Sequence, residues 1–177
     1  MARVVIETRI AAPIELCFDL ARDVGTHVRT SVRTRERVVA GKTSGLLEFD
    51  DVVTFEAVHF GVTQQLTSKI VEFDRPRRFV DEMVKGAFAS LRHLHEFTSQ
   101  GTITLMRDTL DWRSPLGFLG IIVDKLFLER HMRDFVTTKQ RELKAYAEEM
   151  ATAVTANSPS LDHRDVGERC LIVLFDG

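Results

Sequence analysis

The sequence predicts an α+β fold in which one curved antiparallel sheet buries a single face against one long C-terminal helix. Three observations predict it. Residues 51–73 alternate apolar and polar side chains as a long β-hairpin, and residues 91–110 do the same as a second one. From Leu116 to about Met150, apolar residues recur at helical spacing. The chain has 177 residues, enough for one domain with a substantial core.

The elements follow in order. Residues 3–10 read as a strand that Ala12-Pro13 breaks, and Pro13 opens a short helix through about Ala21. Asp23 caps a second short helix over about 24–30. A strand over 34–40 runs into the loop Gly41-Lys42-Thr43-Ser44-Gly45. The first long hairpin turns at Phe60-Gly61. Pairing across that turn puts Val53, Phe55, Ala57, Val62, Leu66 and Ile70 on one face, with Thr54, Glu56, Gln65, Thr67 and Lys69 on the other. His59, Gln64 and Ser68 fall on the apolar face, where polar groups need a reason.

Asp74-Arg75-Pro76 is a turn, a strand covers 78–84, and the chain reverses near Lys85-Gly86. The second hairpin carries a turn signal at Gln100-Gly101. With those two residues as the loop, Phe97 faces Thr104, His95 faces Met106, His93 faces Asp108 and Leu91 faces Leu110. All eight share one face, so two imidazoles and a carboxylate sit on the more apolar side. Ser114-Pro115 starts the helical segment, whose spaced positions include Leu119, Ile122, Leu126, Phe135, Leu143, Tyr146 and Met150. Residues 151–168 read as a linker or ordered loop, and Cys170 to Phe175 as a short apolar run. The division is therefore a ligand-binding domain over 1–150 and a C-terminal extension over 151–177.

A formal net charge of −2 and a pI of about 6.3 speak against nucleic acid as a partner. The only basic cluster, Arg29, Arg33, Arg35 and Arg37, is interrupted by polar and acidic residues and reads as solvated surface. Cys17 and Cys170 show neither metal spacing nor a disulfide framework, so a reducing cytoplasm is expected. The N-terminal residues lack a signal-peptide apolar core. The run Leu116 to Leu128 is broken by Asp124-Lys125 and is too short to insert stably in a membrane.

Short motifs spread over about residues 3–148 resemble the START and birch-pollen-allergen (SRPBCC) superfamily, nearest its bacterial polyketide cyclase/dehydrase-like ligand-binding proteins. They are Ala12-Pro13-Ile14-Glu15 with Phe18-Asp19-Leu20-Ala21, then His59-Phe60-Gly61 with Leu66-Thr67-Ser68-Lys69-Ile70. Phe73-Asp74-Arg75-Pro76, Phe79-Val80-Asp81-Glu82, Gly86-Ala87-Phe88 and His93-Leu94-His95-Glu96-Phe97 follow in the same order. The resemblance implies a helix-grip fold, a seven-stranded antiparallel sheet wrapped around the C-terminal helix, with a deep cavity for a lipid, polyketide, quinone or other aromatic molecule. It implies no catalytic signature, because carriers, sensors, cyclases and regulatory subunits share the fold. The apolar run at the C-terminus has no counterpart in the family pattern.

The polar candidates for the cavity wall are His59, Gln64, His93, His95 and Asp108, with Asp81 a weaker addition. Phe55, Leu66, Leu91, Phe97, Met106, Leu110, Leu119, Ile122, Leu126 and Phe127 are the apolar candidates. His93–Asp108 reads as a satisfied structural pair, as a ligand-recognition site, or as both. As an alternative, a cavity histidine (His93 or His95) oriented by Asp108 serves as general base in a cyclase or dehydratase, with Gln64 or His59 in support. A metal site from His59, His93, His95 and Asp108 rests on spacing alone, and neither metal nor cofactor is expected. His27, His131 and His163 look unrelated to this cluster. The principal expectation is non-enzymatic binding of a hydrophobic small molecule. Residues 169–177 are a candidate surface for a homodimer or protein partner.

Overall fold

The computed structural model describes residues 1–31, 34–59, 61–114 and 128–156. Leu119, Ile122, Leu126, Phe127, His163, Cys170 and the run over 169–177 lie outside them, as do Arg33 and Phe60. Seven strands form one antiparallel sheet: β1 (Ala2–Ile10), β2 (Arg37–Gly41), β3 (Val52–His59), β4 (Val62–Asp74), β5 (Arg78–Lys85), β6 (Ser90–Gln100) and β7 (Ile103–Arg113). Their order is β1-β7-β6-β5-β4-β3-β2. Two short helices, α1 (Ile14–Arg22) and α2 (Val24–Arg29), follow β1, and the long helix α3 spans Glu129–Ala156. This is the expected helix-grip architecture.

The sheet curves because its strands do not run in simple register. Irregularities lie between Val38 and Ala40 on β2, and at Thr67/Ser68 and Ile70/Glu72 on β4. Each adds local bend and twist. Gly41 ends β2 at φ +77°, where an added Cβ would sit 2.2 Å from the Val52 carbonyl oxygen. Only glycine fits that approach.

α1 starts directly after Pro13, and Asp23 caps α2 as expected, its carboxylate accepting from the Thr26 backbone N–H at 2.7 Å. Asp23→Ala is expected to lower stability by about 1 kcal/mol, readable in a urea melt. Phe18 on α1 is fully buried and meets the rings of Phe73, Phe79 and Phe97 edge-on at 5.4–5.5 Å. Arg22, also buried, bonds Asp19 within α1 and ties the helix to Glu48 and the Leu47 carbonyl.

α3 turns Met132, Val136, Gln140, Leu143 and Ala147 inward, a stripe of spacing four, four, three and four. Polar contacts fix it against β1. Gln140 bonds Thr8 and the Ile6 carbonyl, Lys144 donates to the Arg9 carbonyl, and Glu148 accepts from the Ala11 N–H at 2.8 Å. Residues 151–156, expected in a linker or ordered loop, continue the helix instead. Ala151, Ala153 and Ala156 favour helix, and the Thr152 and Thr155 hydroxyls bond carbonyls one turn back. The expected boundary at residue 150 therefore falls inside an element. No described helix is long and apolar enough to cross a membrane.

Candidate functional site

The concave face of the central strands carries the polar cluster. The observed β6–β7 register pairs Gln100 with Ile103, so Gly101 and Thr102 form the loop, with Gly101 at φ +71°. The expected loop lies one residue earlier, and the pairs correct accordingly. Phe97 faces Met106, His95 faces Asp108, His93 faces Leu110, and Leu91 faces Trp112. The slip is two residues along β7, which preserves every face assignment and changes every partner. On the other side of β6, Asp81 of β5 faces His93 and Phe79 faces His95.

His95 lies between two carboxylates. Its Nδ1 is 2.7 Å from Asp108 Oδ1, and its Nε2 is 3.3 Å from Asp81 Oδ2. The His93 ring packs on it, with centroids 3.8 Å apart, and Phe79 stacks on His95 at 4.3 Å. The Asp108 and His95 side chains are 5% and 11% exposed, and His93 is 19% exposed. Burial opposes a charge on His95, but Asp108 and Asp81 outweigh it and hold the imidazolium up to about 9. Burial likewise opposes both carboxylates, yet His95 keeps Asp108 and Asp81 below the ordinary carboxylate range. His93 Nε2 is buried and has no hydrogen-bond partner among the described residues. It lies 3.8 Å from Asp108 Oδ2, beyond hydrogen-bond reach.

The arrangement bears on the expected general base. Asp108 orients His95, not His93, and both nitrogens of His95 face carboxylates. A charged ring held that way has no lone pair to accept a proton.

A second buried cluster faces the first from α2, α3 and the approach to β2. Lys139 Nζ stands 2.7 Å from His27 Nε2 and 3.5 Å from Glu36 Oε2, and His27 stacks on Phe55 at 4.0 Å. Burial would raise Glu36, but Lys139 and His27 hold it well below its usual range. Burial and the Lys139 charge push His27 down. Lys139 is also lowered by burial, against the pull of Glu36.

These groups line a cavity of about 130 Å³ between the sheet and α3. Phe55, Leu66, Leu91, His93, His95, Met106, Asp108 and Leu110 all line it, as do Asp81, His27, Glu36, Lys139 and Gln140. A neighbouring cavity of about 220 Å³ shares Glu36, Phe55, Leu66, Leu91, Met132 and Phe135 with it. His59 and Gln64 line only this second space. His93 and His95 line only the first. His59 Nδ1 meets His131 Nε2 at 3.0 Å. Phe97 lines neither cavity and belongs to the core around Phe18.

His27 and His131, expected to be unrelated, both line the cavities. Glu36 and Lys139 carry no distinguishing signal in the sequence, since isolated charged residues are ordinarily solvated. Gln140 carries one, as a polar residue on the apolar stripe of the last helix.

No family model matches the sequence, and no curated protein matches it. Solved structures do match. TTHA0849 from Thermus thermophilus superposes with a TM-score of 0.69 at 21% identity, over 89% of this chain and 100% of that one. The Zhui aromatase/cyclase from a Streptomyces species gives 0.71 at 15% identity, over 86% of this chain and 97% of that one. A START superfamily protein from Mycobacterium smegmatis gives 0.64 at 15% identity, over 84% of this chain and 98% of that one.

Proposed function

From the helix-grip fold that this chain shares with START-superfamily structures, we propose that the protein binds a compact hydrophobic molecule between sheet and helix. The ligand class is an aromatic or polyketide-like ring system bearing a hydroxyl or carbonyl group. One observation carries the reading: an apolar cavity, adjoined by a second, holds a buried polar cluster whose His93 Nε2 has no hydrogen-bond partner among the described residues. Mostly apolar walls with a few polar groups suit small-molecule recognition. Volumes of about 130 and 220 Å³ suit fused rings better than a long acyl chain. An unpaired ring nitrogen gives such a ligand its one oriented hydrogen bond.

Fluorescence titration of chelator-treated protein with 2-naphthol and with naphthalene tests this. Both are expected to bind, 2-naphthol more tightly. His93→Ala should weaken 2-naphthol by about three- to tenfold, the worth of one hydrogen bond, and leave naphthalene nearly unchanged. Equal responses of the two probes would overturn polar recognition by His93. Binding of neither would overturn the cavity reading. Native mass spectrometry of protein from its own host then identifies the natural ligand.

A further inference from the structure

We propose that Asp81, His93 and His95 form a mononuclear site for a divalent first-row transition metal, with Asp108 as the outer carboxylate that orients the His95 imidazole. The inference uses the same cavity but does not depend on what organic ligand fills it.

The geometry is directional. Each imidazole turns one nitrogen toward Asp108 and the other toward Asp81. His95 Nδ1 and His93 Nε2 lie 2.7 and 3.8 Å from the two Asp108 oxygens. His95 Nε2 and His93 Nδ1 lie 3.3 and 3.9 Å from the single oxygen Asp81 Oδ2. One atom from each of the three residues falls within 4.8 Å of the others. Metal bonds of about 2.0–2.1 Å to nitrogen and oxygen place neighbouring ligand atoms roughly 3.0–3.4 Å apart. The Asp81–His95 separation already fits, and His93 Nδ1 has to close in from 3.9 Å. Asp108 then occupies the place of the carboxylate that commonly holds a metal-bound imidazole from behind.

The donor chemistry points the same way: the carboxylates of Asp81 and Asp108 flank the two imidazoles and together offset the charge of a dication. Two imidazoles and one carboxylate suit zinc or ferrous iron, and three protein ligands leave coordination positions open for water or a ligand oxygen.

The test uses tag-free full-length protein, stripped with chelator and titrated with Co²⁺. The expected result is one equivalent per chain with visible d–d absorption, displaced by Zn²⁺. Asp81→Asn and His93→Ala should abolish the absorption, while Asp108→Asn should keep the stoichiometry and weaken affinity about 10- to 100-fold. X-ray absorption on the wild-type zinc complex needs no variant, and should show two imidazoles and a carboxylate. Absence of stoichiometric Co²⁺ binding, an unchanged band in Asp81→Asn and His93→Ala, or a zinc shell without imidazole would overturn the proposal. Naphthol binding by chelator-treated protein would survive that outcome, so failure here is distinct from failure of the binding function.

Discussion

Asp108→Ala is expected to lower the stability of the metal-free protein by about 3–5 kcal/mol, the usual consequence of stripping one partner from a buried ion pair. For a chain of 177 residues, the melting temperature should fall by about 6–20 °C. The carboxylate is nearly inaccessible and makes the shortest contact to His95. Without it, the His95 charge faces Asp81 alone at 3.3 Å. Combining Asp108→Val with His95→Leu should restore much of the loss, because an apolar pair leaves no uncompensated charge. Calorimetry on the two single variants and the double variant closes the cycle. A double variant as unstable as the sum of its parts would show that the pair is not an energetic unit.

Lys139→Met is the second large effect, at about 3 kcal/mol, because Glu36 loses a buried cationic partner. Its pH dependence has a definite sign. Glu36 in the folded protein is held below its ordinary value of 4.5. Its contribution is therefore fully present above that pH and is lost as pH falls. In Lys139→Met the main cause of the depression is gone, so the stability gap from wild type should narrow below about pH 4.5. Urea melts at several pH values measure the gap. A gap that stays constant into acid would mean that Lys139 does not stabilise the Glu36 carboxylate.

Much of this architecture was legible in the sequence because strand alternation is robust to small errors. The histidines at 93 and 95 and the aspartate at 108 fall on the correct face even with the loop placed one residue early. Their partners were not legible, since a tight turn at Gln100-Gly101 and one at Gly101-Thr102 are equally good local readings. Asp81 needed the β5–β6 register, which only tertiary pairing supplies. Lys139 and Glu36 look like surface residues until α3 and the approach to β2 bring them together. The Ala-rich end of α3 is disguised by its threonines, which bond their own helix rather than breaking it.

Six side chains line both cavities, where the two spaces adjoin. They comprise rings, aliphatic groups, one carboxylate and the thioether of Met132. A thioether side chain changes rotamer at a cost of about 1 kcal/mol, whereas widening the sheet would break its ladder. Rotation of Met132 would therefore change how far the two spaces communicate while every strand keeps its pairing.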